Sequence, residues 1–224
     1  MATPSGPARL HVDGEGTSRF VLAHGAGGGA DAPDLLAARD AGLALGLQVV
    51  RVEQPWRVRG ARVAEAPVRL DAAWLAALAT LLPPPTGLPA TRPALTGPVP
   101  TVLGGRSSGA RVACRTASLV TADGLGDVRG VLCLAFPLRP PGRTADRSSE
   151  LALPQVPRLV VQGERDAFGV PDASPGVRVE RVAGADHGFG VRRRDGRSAE
   201  DVQAQVRDVV RDWLAELDLP GATR

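Results

Sequence analysis

Directly after a short apolar run, Val99 to Gly104, the chain reads Gly105-Arg106-Ser107-Ser108-Gly109. Glycines two before and two after a serine suit a sharp turn from a buried strand into a helix. They leave room for neighbouring backbone, hold the serine at the apex and aim its hydroxyl out of the sheet. Only Ser107 has this spacing; with Ser108 as the apex, Arg106 and Ala110 would stand at the tight positions.

The same strand-then-helix grammar runs through the chain and predicts an α/β fold with a mainly parallel central sheet flanked by helices. Arg9 to Val12 reads as a short edge strand and Phe20 to His24 as the first central strand. Helix follows at Pro33 to Leu45, and strand at Gln48 to Glu53. Asp71 is a candidate N-cap for a helix to Leu82, which Pro83-Pro84-Pro85 would stop. The Pro-, Gly- and Thr-rich stretch 83–100 reads as a surface connector. Ala110, Ala113, Cys114, Ala117 and Val120 recur at helical spacing. Val131 to Phe136, Leu159 to Gly163 and Val177 to Val182 are three further strands. Ser198 and Asp201 form a capping box before the stripe Val202, Val206, Val209, Val210, Trp213 and Leu217. Residues 136–156, between two strands, leave little beyond a crossover, so no separate lid domain is expected.

At 224 residues the chain fits one domain spanning 1–224. It has no run near the roughly 18 apolar residues of a membrane span. No signal peptide is read in Met1 to Gly16, and a cytoplasmic location is expected. All 27 positive charges are arginine against 24 acidic residues, a mild excess. Arg192-Arg193-Arg194 with Arg197 lacks interleaved aromatics, so neither nucleic acid nor membrane is an expected partner. Cys114 and Cys133 read as reduced core residues, and no metal or cofactor is implied.

Ser107 needs a base, because a free hydroxyl is a poor nucleophile. His187, between Gly184 and Gly188, is the candidate; an imidazole accepts a proton near neutral pH. Asp166, just past a buried strand, is the candidate partner of that imidazole, with Asp186, Asp172 and Glu164 as rivals. Backbone N–H groups of Ala26 and Ser108 are the candidate oxyanion donors. His24 is read as a brace for the glycine loop. Trp56, Phe136, Leu138 and Arg139 follow strand ends and are candidate pocket residues, with Arg106 and Arg139 able to favour an anionic substrate. A nucleotide loop at Gly25 to Gly29, with Glu53 as its acidic partner, is an alternative.

Several stretches together resemble the α/β-hydrolases, close to the dienelactone-hydrolase-like group. They are His24-Gly25-Ala26-Gly27, Glu53-Gln54-Pro55-Trp56, Gly104 to Gly109, Phe136-Pro137-Leu138, Val161-Gln162-Gly163 with Asp166, and Asp186-His187. The chain is most similar to the small subfamily containing a testis-expressed protein and a histone-acetyltransferase-complex subunit. The resemblance implies the α/β-hydrolase fold, with nucleophile Ser107, acid Asp166 and base His187. It implies a serine hydrolase acting on a small-molecule ester or thioester, or a non-catalytic scaffold that kept the fold. Arg139 and Ala167 depart from it, where His and Pro are frequent.

Overall fold

The computed structural model describes residues 1–81 and 98–222. A two-stranded hairpin, β1 (Ala2–Thr3) and β2 (Gly6–Pro7), precedes the main sheet. The elements then run β3 (Arg9–Asp13), β4 (Arg19–Ala23), α1 (Pro33–Ala44), β5 (Gln48–Glu53), α2 (Pro55–Val58), α3 (Pro67–Ala79), β6 (Pro100–Arg106) and α4 (Ser108–Ala122). After these come β7 (Asp127–Leu134), α5 (Ser148–Ala152), β8 (Arg158–Gly163), β9 (Val177–Val182) and α6 (Ala199–Glu216). The seven strands are ordered β3-β5-β4-β6-β7-β8-β9. Only β3 is antiparallel to its neighbour.

Parallel strands covered on both faces are apolar at nearly every position, and the alternation decides which core each side chain enters. Phe20 and Leu22 of β4, Leu132 and Leu134 of β7, and Leu159 and Val161 of β8 pack against α1 and α6. Val21, Ala23, Leu103, Val131, Cys133 and Val160 face the other core, with α3 and α4. Cys114 and Cys133 are buried, unlinked thiols there.

Local chemistry sets the helix limits. Pro33 and Pro67 open α1 and α3, where a missing N–H costs nothing. Pro67 starts α3 earlier than the Asp71 reading allows. Asp71 lies one turn inside and pairs with Arg115 at 2.6 Å instead of capping. Leu82 and the proline-rich connector up to residue 97 lie outside the described residues. The capping box at Ser198 and Asp201 is present, with bonds of 3.1 and 2.8 Å.

The order of the strands locates the site. From β4 the chain moves outward to β5, then returns across β4 to β6. The carboxyl ends of β4 and β6 therefore flank the point where the winding reverses, the place where open α/β sheets hold ligands. Ala23 is paired with Gly105 across that gap, which brings the glycine loop beside the elbow.

Trp213 of α6 is 3 % exposed and packs over Gly130 of β7, where an added Cβ would lie 3.0 Å from its ring. Trp213→Ala is expected to cost about 3–5 kcal/mol. Urea unfolding should show the lowered midpoint without loss of the cooperative transition.

Candidate active site

Ser107 has φ 52° and ψ −110°, a left-handed conformation that a non-glycine residue adopts only under constraint. Its N–H donates to Leu134 O at 2.9 Å. The flanking glycines are there for space. A Cβ on Gly105 would stand 2.5 Å from Ala23 O and 2.6 Å from the carbonyl carbon of Gly109. A Cβ on Gly109 would drive into the Ala23 carbonyl oxygen.

The structure brings the three candidate residues together. His187 Nε2 lies 3.1 Å from Ser107 Oγ, and its Nδ1 lies 2.7 Å from Asp166 Oδ2. The Asp166 side chain is fully buried, whereas that of His187 is 24 % exposed, so the imidazole sits at the surface with its partner beneath it. Asp166 is itself held: Gln162 Nε2 donates to Oδ2 at 2.6 Å and the Phe168 N–H to Oδ1 at 2.8 Å. The rivals have other work. Asp186 accepts from the N–H groups of Gly188 and Gly190, and Glu164 from that of Gly184. Asp172 is exposed and lines a separate cavity.

Ser108 is the first residue of α4, where backbone N–H groups have no partner within the helix. Ala26 is exposed in the facing loop. No hydrogen bond within the described residues engages either N–H. His24 braces that loop from behind. The Gln54 N–H donates to His24 Nε2 at 3.0 Å, so Nδ1 carries the proton and donates to Gly25 O at 2.8 Å. Burial pushes the His24 pKa down, which keeps this ring neutral. Against the nucleotide reading, Glu53 is occupied by Arg9 and His11. The buried carboxylate Asp34 also puts negative charge at the helix end a phosphate would need.

The four candidate pocket residues fare differently. Trp56 is 1 % exposed and Phe136 is fully buried, and both pack into the core on the α3 and α4 side of the sheet. An apolar residue after a strand end can turn inward as readily as toward the site. Leu138 and Arg139 line a cavity of about 620 Å³ between α5 and the 171–177 segment, which contains neither Ser107 nor His187. Arg139 pairs there with Asp146 at 2.8 Å. Arg106 is not a free surface cation either: it pairs with Asp34 at 2.9 Å.

Two neighbours were not found from the sequence. The Phe168 ring stacks on the His187 imidazole, centroids 4.3 Å apart. Its only signal is its place two residues after Asp166. Gln162 is fully buried and binds Phe136 O and Gly169 O as well as Asp166. It lies inside the Val161-Gln162-Gly163 stretch, which marks a strand end but not this role. No group of three His, Cys, Asp or Glu among the described residues is arranged to hold a metal ion. No helix among them is long and apolar enough to cross a membrane.

A family model for the alpha/beta hydrolase domain matches residues 16–215. No curated protein matches. Among solved structures, an alpha-beta serine hydrolase homologue from Coxiella burnetii is 18 % identical, with a TM-score of 0.66 over 96 % of this chain and 95 % of its own. A member of the a/b serine hydrolases without lid, from Xanthomonas campestris, is 22 % identical, with a TM-score of 0.67 over 99 % and 94 %. Est1E from Butyrivibrio proteoclasticus, solved with ferulic acid bound, is 12 % identical, with a TM-score of 0.61 over 93 % and 96 %. At these identities the likeness is one of fold.

The elbow glycines give a direct steric test. Gly109→Ala should cost more stability than any surface substitution, because rigid strand backbone, not a movable side chain, meets the new Cβ. Thermal denaturation against an exposed control such as Gly124→Ala, where a Cβ meets nothing within 4 Å, measures the difference.

Proposed function

The chain belongs to the alpha/beta hydrolase domain family, and from that premise we propose that it is a serine hydrolase cleaving a small ester or thioester through an acyl-enzyme. The observation that supports this most is the run of contacts Ser107–His187–Asp166, at 3.1 and 2.7 Å, ending on a serine held at positive φ.

The chemistry follows from the geometry. Ser107 Oγ attacks the carbonyl carbon while its proton passes to His187 Nε2. Asp166 accepts from Nδ1, so the imidazolium forms beside a fixed negative charge. Gln162 and the Phe168 N–H keep that carboxylate from turning. Negative charge developing on the carbonyl oxygen meets the N–H groups of Ala26 and Ser108 at the positive end of α4. His187 then protonates the departing alcohol or thiol. A water molecule, deprotonated by the same imidazole, releases the acid.

The finer placement, in the dienelactone-hydrolase-like subfamily noted above, rests on the sequence motifs. A single domain over 1–224, a cytoplasmic location, and a small-molecule substrate without nucleic acid or membrane as partner rest on the length, composition and charge of the chain. The open site supports short acyl groups. Between β7 and β8 the chain forms only the five-residue α5. On this reading no long acyl chain is enclosed, so each added CH₂ recovers little of its about 0.8 kcal/mol of burial.

Wild-type protein should react with a fluorophosphonate probe, and Ser107→Ala should abolish labelling. Ser108→Ala should reduce turnover less, since its part is a backbone N–H. His187→Ala and Asp166→Asn should each lower kcat/KM on the order of 10³-fold, non-additively. Unlabelled wild-type protein would instead favour the scaffold. Chelators should leave kcat/KM unchanged. A second outcome concerns chain length: acetate and butyrate esters should be cleaved better than long ones. A kcat/KM that climbs steadily from butyrate to palmitate would refute the open site.

A further inference from the structure

The Arg106 side chain leaves the elbow and reaches three neighbouring segments. Its Nη2 donates to the backbone carbonyl of His187 at 3.1 Å. Its Nε lies 2.9 Å from Asp34 Oδ2, in an ion pair whose side chains are 13 % and 5 % exposed. Its Nη1 passes so close to the glycine loop that a Cβ on Gly25 would stand 3.0 Å away. One planar guanidinium thus joins the elbow, the His187 loop, the first turn of α1 and the loop that carries Ala26.

The His187 loop needs such a tie. Its internal shape is set by Asp186, whose carboxylate accepts from the N–H groups of Gly188 and Gly190 at 2.9 Å. Those bonds are local and say nothing about where the loop sits relative to Ser107. That distance is governed by the His187–Asp166 bond on one side and the Arg106 bond to the His187 carbonyl on the other. A displacement of about 1 Å at a reacting pair costs on the order of 10²-fold in rate.

Charge explains Asp34. A bare guanidinium beside His187 would oppose the positive charge that the imidazole takes up with the serine proton. Asp34 places a negative charge on the same guanidinium. Burial pushes the Asp34 carboxyl up, and Arg106 beside it offsets only part of that rise. Each member therefore makes the other tolerable in the interior.

We propose that the Arg106–Asp34 pair is a positioning device that holds the His187 imidazole within reach of Ser107 through the main chain, and is not a binding site for anionic substrate. The role rests on the reading of Ser107 as nucleophile and His187 as base. Arg106 touches no reacting atom. Lysine cannot replace it, because one ammonium lacks the fork that serves Asp34 and the His187 carbonyl at once.

The test uses the full chain, a neutral ester (p-nitrophenyl acetate) and a monoanionic one (mono-p-nitrophenyl succinate). The double variant Asp34→Asn with Arg106→Met removes the pair without leaving an orphaned buried charge. It should keep a cooperative thermal transition while kcat falls about 10- to 100-fold for both esters and KM changes less than about threefold. Should that variant fail to fold, Arg106→Lys keeps the ion pair and the fold, and should show the same kcat loss. Wild-type kcat in the folded variant would overturn the proposal. So would a defect confined to KM for the anionic ester, which would make Arg106 a substrate contact. Wild-type protein that neither reacts with fluorophosphonate nor turns over either ester would refute the hydrolase reading and this role with it.

Discussion

The close approach of β6 and α4 to the end of β4 is the constraint from which the site follows. At Gly105 and Gly109 the elbow presses against the carbonyls of Ala23 and His24 with no space for a Cβ. That contact forces the chain to reverse within one residue, and the residue that absorbs the reversal is Ser107, at positive φ. The same contact sets the glycine loop after β4 against the start of α4. Candidate nucleophile and candidate oxyanion donors are thus positioned by one steric event between two neighbouring strands. The loops bearing Asp166 and His187 arrive from β8 and β9, two and three strands further along the sheet from β6.

Electrostatics complete what sterics begin. Three titratable groups lie buried at this edge, and each is compensated differently. Asp166 accepts hydrogen bonds from Gln162, Phe168 and His187. Asp34 is balanced by Arg106. His24 carries no charge, because burial lowers its pKa and its two nitrogens are already committed to Gln54 and Gly25. His187, 24 % exposed beside them, is the candidate for proton exchange with a substrate.

Much of this was legible because it depends on spacing. The elbow glycines, the apolar strand runs and the positions of Asp166 and His187 just past strand ends are local patterns, and the fold puts them where the patterns imply. The α6 capping box is of the same kind. What escaped depends on direction in space. Trp56 and Phe136 follow strand ends as active-site residues do, yet their rings turn into the core. Asp71 has the chemistry of a cap, but Pro67 starts the helix before it. Phe168 and Arg106 matter through side chains reaching residues 19 and 81 positions away, His187 in both cases, and no periodicity encodes such pairs.

The segment between β7 and β8 has a bracing of its own. The stretch between β7 and β8 is where this chain could have raised a cover, and instead it is pinned down. Arg111 and Arg115 of α4 both pair with Glu150 of α5, at 2.6 and 3.0 Å, and Arg115 reaches on to Asp71 of α3. Arg147 donates to Pro137 O, closing the segment on itself. Single exposed ion pairs contribute little, but these side chains are about four-fifths buried and share partners, the setting in which a network outweighs its separate pairs. A chain whose cations are all arginine is suited to this, since each guanidinium can hold two carboxylates in fixed directions. The same residue type that cross-braces the elbow from Arg106 therefore also ties α5 to α4.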